Sequence, residues 1–148
     1  MNNIKFVNSG KSNIIAHVFR LKQGEDLLNS IKEYVNEKKI KAGFIMSCVG
    51  SLQEINIRLA NAKKFLVKKE HFEIVSLVGC VSCNNRFHLH ISISDEEGNT
   101  KGGHLKDKNI VYTTAEVVIG ELPELSFSEV NNPGEDWPEL QIEQNKEK

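Results

Sequence analysis

No run of apolar residues in this chain approaches the ~20 that a membrane-spanning helix requires. The opening residues, MNNIKFVNSGK, lack the apolar stretch of a secretory signal. A cytoplasmic protein with no membrane partner is therefore expected. Cysteine is scarce: Cys48, Cys80 and Cys83 make an odd count, which without an export signal argues for reduced thiols rather than a disulfide framework. Cys80 and Cys83 have CxxC spacing but fall in a strand-like run, where an offset of three sends the sulfurs to opposite faces. Neither charge sign dominates. The 19 Lys and Arg against 20 Asp and Glu leave a net charge of −1, with no bulk pull toward nucleic acid or an anionic membrane. Internal repeats, a P-loop, a dinucleotide fingerprint and a nucleophile elbow are all missing from the sequence.

What the chain does have is strand. Its 148 residues, 39% apolar and 26% charged, fit one globular domain with a real core. Ile14–Leu21 (IIAHVFRL) reads as a strand with Ile15, His17, Phe19 and Leu21 on one face. Ile14, Ala16, Val18 and Arg20 share the other. His17 there is expected to be a hydrogen-bonded core histidine. Arg20 either pairs a carboxylate or anion or is a plain surface arginine. Gly24-Glu25-Asp26 opens the one convincing helix, Asp26–Lys38, with Leu27, Leu28, Ile31, Tyr34 and Val35 as its apolar stripe. This helix should cover one face of a sheet and leave the other for solvent or another subunit.

Further strands are expected at Ala42–Val49, ending at Gly50-Ser51, at Ile55–Leu59, at Phe65–Lys69, within His71–Ser82 and along Ile110–Leu122. Glu116 stands among apolar neighbours in the last of these. It is either an acid or base of a site, or the partner of Arg20, or an outward-facing edge residue. The domain is taken as residues 1–122. Residues 123–148 are rich in Glu, Asn and Pro and read as an acidic, partly disordered tail, loose beyond Trp137.

The most chemically suggestive stretch is Phe87–Leu105, FHLHISISDEEGNTKGGHL. A strand over Arg86–Ser94 would place His88, His90, Ser92 and Ser94 on one face and Phe87, Leu89, Ile91 and Ile93 on the core face. A turn at Asp95–Asn99 would bring His104, after Gly102-Gly103, back beside the outgoing strand. Imidazoles two apart on a strand can converge on one ion, with a third ligand from a neighbouring element. An HxH pair alone sits as readily on a polar face with no ion; the GGH at this distance tips the balance toward a metal.

The segments Gly24-Glu25-Asp26 with the helix, KAGFIMSCVGSLQEINIR (41–58), HFEIVSLVGC (71–80), Phe87–Leu105 and Asn109–Leu122 resemble the PPC (plants and prokaryotes conserved) domain. The HLHISISD and GGHL segments are the most specific. The resemblance implies a single compact α/β (α+β) domain, a mostly antiparallel β-sheet with one principal helix packed on it. It also implies a homotrimer and a metal site at His88, His90 and His104, zinc being preferred for an imidazole-rich donor set. A DNA-binding or regulatory role is implied by analogy with plant members. This chain has no AT-hook, and its basic residues are scattered at Lys38, Lys39 and Lys41, Lys63 and Lys64, and Lys68 and Lys69. The histidine pattern is similar to the zinc site of acetolactate decarboxylase. That likeness implies zinc as a Lewis acid, Arg20 or Arg58 holding a substrate carboxylate, and Glu116 moving a proton. Three descriptions stay open: a trimeric metal-binding module with a DNA or protein partner, a metal-dependent enzyme acting on a small carboxylate-type molecule, and a structural trimer without metal.

Overall fold

The computed structural model describes residues 8–134 and 136–145. Along the chain come β1 (Ile15–Lys22), α1 (Leu27–Glu37), β2 (Gly43–Arg58), β3 (Phe65–Lys68), β4 (Phe72–Ser82) and β5 (Arg86–Ser94). They are followed by β6 (Thr100–Leu105), β7 (Ile110–Glu121), β8 (Leu125–Val130) and β9 (Glu139–Gln144). A short 3-10 turn, Ala60–Ala62, separates β2 from β3. The first seven strands form one antiparallel sheet in the order β1-β7-β2-β4-β5-β6, with β3 joined to β2. β6 also pairs with the end of β2, so β2, β4, β5 and β6 close into a ring. This is the mostly antiparallel sheet with a single principal helix that the sequence implies.

Period-two alternation decides which face each strand buries. Leu21, Leu77, Leu89, Ile91, Ile93, Val117 and Ile119 point to the helix side, where they join Leu27, Leu28, Ile31 and Val35 in one core. The helix begins where it does because Asp26 caps it: its Oδ1 accepts from Asn29 N at 2.9 Å. Its other oxygen accepts from Lys108 N, which ties the helix start to the β6–β7 connection. His17 behaves as a core histidine, with Nε2 2.8 Å from Glu121 Oε2 and Nδ1 3.3 Å from the Tyr34 hydroxyl. Among the described residues no helix is long and apolar enough to cross a membrane.

Two expectations change. The runs around Ala42–Val49 and Ile55–Leu59 are one sixteen-residue strand, β2, which crosses Gly50-Ser51 with register shifts against β7 instead of stopping. An irregularity absorbs the glycine, and the strand then serves different neighbours along its length. The segment beyond Trp137 is not loose over its described part: β9 pairs with β8 along Leu125–Val130. Leu125 and Phe127 are buried with Ala42 and pack on Cys80, Leu140 and Ile142. Their two-residue period is short and sits among Glu and Asn, which hides it in composition. Residues 146–148 lie outside the described part.

The opposite face of the sheet carries no helix. Val18, Met46, Val49, Val75 and Val78 are about half exposed or more there, beside His88 and His90. Ile31, by contrast, is completely buried at the middle of the helical stripe. Ile31→Ala is expected to cost about 2–5 kcal/mol in urea denaturation. A loss below about 1 kcal/mol would show that α1 does not anchor the core.

Candidate metal centre

The turn after β5 is built from the acidic loop itself. Asp95 N donates to Asn99 O at 3.1 Å, Gly98 N donates to Asp95 O at 3.0 Å, and Asp95 Oδ1 accepts from Asn99 N at 2.8 Å. This returns β6 in register with β5, so that His104 stands directly opposite His90. On its other flank β6 meets β2, where His104 stands opposite Arg58. Val78 of β4 faces His90 in turn. One row across four strands therefore reads Arg58, His104, His90, Val78, with His88 two residues along on the same face. Gly103 makes this possible: a Cβ there would lie 2.5 Å from Arg58 O, so only glycine lets the two backbones approach this closely.

The three imidazoles converge. Their ring centroids are 5.1 Å apart for His88–His90 and 5.5 Å for each pair with His104. One donor nitrogen from each lies within 4.8 Å of the other two. Burial, then the positive charge of Arg58 and the neighbouring rings, lowers the His104 pKa to about 4. Burial and the Arg86 guanidinium lower that of His88 as well. Both rings are therefore neutral at physiological pH, with lone pairs available to a cation. His104 Nδ1 is buried with no hydrogen-bond partner among the described residues.

Two guanidiniums flank the cluster and differ in kind. The Arg86 side chain is only 7% exposed. Its Nη1 donates to Glu129 Oε1 at 3.0 Å and to Pro138 O at 3.2 Å, and its Nη2 lies 3.1 Å from His88 Nδ1. Arg58 has no ion-pair or hydrogen-bond partner among the described residues; its Cζ sits 5.0 Å from the centre of the Trp137 ring. Together these groups line a cavity of about 1110 Å³ whose far wall is the β8–β9 connection, with Asp136, Trp137 and Pro138.

Of the residues singled out from sequence, His88, His90, His104 and Arg58 come together. Arg20 and Glu116 do not join them. They face each other across β1 and β7, exposed, and neither lines the cavity. Among the described residues no ion pair connects them. The sheet order explains this, since β1 is the edge strand farthest from β5 and β6 along the path. Arg86, Glu129 and Trp137 were missed as site residues. Arg86 precedes the FHLH stretch directly, but nothing in the sequence pairs it with a glutamate 43 positions away.

Residues 8–123 match the family described as the Plants and Prokaryotes Conserved (PCC) domain. A relative from Synechococcus sp. (strain JA-3-3Ab) named Bifunctional protein GlmU is 37% identical over 124 residues, covering 84% of this chain and 20% of that protein. The chain thus spans about a fifth of the length of the curated relatives it matches. A solved structure of a hypothetical protein from Salmonella cholerae-suis superposes with a TM-score of 0.88 at 31% identity, covering 93% of this chain and 99% of that one. One of a metal-containing protein from Archaeoglobus fulgidus superposes with a TM-score of 0.69 at 27% identity, covering 86% of this chain and 94% of that one.

The depressed His104 pKa has a consequence for stability. An imidazole held at about 4 when folded and near 6.5 when unfolded binds more protons in the unfolded state between those values. Its contribution is therefore full above pH ~6.5 and is lost as pH falls toward ~4. Chelator-treated protein should lose stability across that window, and His104→Gln should flatten the dependence in denaturation midpoints taken from pH 7 to 4. An unchanged slope in the variant would remove His104 as the cause.

Proposed function

The chain belongs to the Plants and Prokaryotes Conserved domain family, and from that premise we propose that it is a metal-binding domain holding zinc on His88, His90 and His104, with a small oxyanion such as a carboxylate as the ligand of the site. The observation that carries this is the convergence of three imidazoles, one donor nitrogen from each within 4.8 Å of the others, at a cavity where Arg58 has no anionic partner among the described residues. The donor set fits the ion. The cluster is all imidazole, a set that suits zinc among the common metals, and a buried ring nitrogen of His104 lacks a protein partner among the described residues. The metal-containing relative from Archaeoglobus fulgidus supports a metal on this domain.

Zinc held there would supply Lewis acidity toward an oxygen of the bound molecule. The chain's own residues do the rest. The forked N–H groups of Arg58 orient an oxyanion in a way a lysine cannot. Val78 and Trp137 present apolar surface that limits water around it. On this description the protein is either a metal-dependent enzyme or a sensor of a small carboxylate, and turnover of such a compound decides between them.

The homotrimer belongs to the same proposal. Val18, Met46, Val49 and Val78 expose apolar surface on the helix-free face, and that face also carries His88 and His90. A patch of this kind on a small domain marks an interface, and subunits meeting there would border the metal centre. The family's DNA-binding role receives less support from this chain. Lys38 pairs with Glu37 at 2.8 Å, Lys68 with Glu70 at 2.9 Å and Lys69 with Glu54 at 3.5 Å, so three of the clustered lysines are balanced locally.

Elemental analysis of protein expressed without a histidine tag is expected to give about one zinc per chain, lost in His88→Ala and His104→Ala while circular dichroism stays unchanged. Wild type that carries no metal and takes up none from added zinc would sink the assignment. Light scattering is expected to report a mass near three times 16.7 kDa, and Val78→Glu should lower it. A monomeric wild type would rule the trimer out.

A further inference from the structure

Arg86 meets His88 in the opposite sense to the usual support of a metal ligand. An imidazole bound to a metal through one nitrogen carries its proton on the other and donates it to a carboxylate, carbonyl or water. Here Nδ1 faces Arg86 Nη2 at 3.1 Å, and a guanidinium has donors only. Nδ1 must accept, which in a neutral ring puts the proton on Nε2. If a metal takes Nδ1, it needs the lone pair that Arg86 uses. If it takes Nε2, the ring proton moves to Nδ1 and faces an N–H. In both cases Arg86 has to leave His88.

We propose that Arg86 and the metal ion compete for His88, so that Arg86 sets the affinity of the centre and ties its occupancy to the β8–β9 hairpin. The proposal rests on the metal-centre reading above. Its second half follows from the guanidinium being a rigid plane. Nη1 of the same group holds Glu129 of β8 and the carbonyl of Pro138, just ahead of β9, and Nη2 cannot withdraw without re-aiming the N–H bonds of Nη1. Nε is buried without a partner among the described residues, so it gives no third anchor against that movement. Trp137 adjoins Pro138 and lies against Arg58; it therefore reports on the displaced segment. Arg86 is in this account a positioning residue, acting through His88 and through the hairpin.

Zinc titration of the full chain against a chromophoric chelator, with emission from Trp137, the chain's single tryptophan, reads both halves. Arg86→Gln is expected to bind zinc at least about tenfold more tightly than wild type, because one charge-assisted hydrogen bond no longer opposes the ion. Arg86→Lys keeps the positive charge but has a single nitrogen, too few to hold Glu129 and His88 together as the fork does. It is expected to tighten binding as well, and it serves alone should Arg86→Gln fail to fold. Zinc should shift Trp137 emission in wild type, and the shift should shrink in the variants although zinc binds. Tightening in Arg86→Gln without Arg86→Lys would assign the effect to charge and overturn the competition. Equal or weaker binding in both folded variants would show that Arg86 supports the centre, and would overturn the competition too. An undiminished emission shift would overturn the link to the hairpin. Zinc uptake by neither wild type nor variants would instead bring down the metal centre, and this inference with it.

Discussion

Backbone pairing on both flanks of β6 is the constraint on which the histidine cluster depends. Ile57 and Arg58 of β2 meet Leu105 and His104 on one side, and His90 and Ile91 of β5 meet His104 and Gly103 on the other. Side chains alternate with a period of two, so a slip of one residue in either pairing would turn His104 away from the other histidines. The convergence of the three imidazoles is thus a matter of sheet register before it is one of side-chain conformation. The Asp95–Asn99 turn fixes that register at one end, and the close approach at Gly103 preserves it at the other.

Charge placement then separates two roles that look alike in composition. Arg86 is buried, and Glu129 compensates it; removing either partner would leave the other poorly solvated or unpaired. Arg58 sits at the cavity against an indole ring. Burial first, and then these positive charges, depress the pKa values of His88 and His104, which keeps those two rings neutral and able to donate lone pairs. Glu129, Trp137 and Pro138 all come from residues past 123, outside the stretch that matches the family. The ring of histidines belongs to the shared domain, whereas part of its surroundings is carried by a segment that lies beyond it.

Local signals in the sequence were sufficient wherever the chemistry is local. The helix is legible because its cap and its stripe lie within a dozen residues. The histidine hairpin is legible because strand alternation, an acidic turn and a Gly-Gly pair occur in one continuous stretch. Arg20 and Glu116 show where such reasoning stops. They stand opposite each other in register without an ion pair among the described residues, and their distance from the histidines depends on β1 and β7 lying at the far side of the sheet. The order of strands follows from long-range pairing that no window of residues reveals. The β8–β9 hairpin was obscured differently, since five apolar side chains in two short strands are easily outweighed by the glutamates and asparagines around them.

The pairing of β1 with β7 joins residues 15–22 to residues 114–121, and Glu124 reaches back to Ser12 and Asn13. During synthesis the first strand of the sheet to leave the ribosome therefore waits for the last. Sheets closed by such distant pairs form slowly, because the long loop must be ordered before its contacts repay the cost. Until then β1 is an unpaired apolar segment, and β2 has an open edge where β7 will lie. Nascent chains of this protein are thus most exposed to misassociation just before the end of the main sheet is translated, and chaperone holding would matter most there.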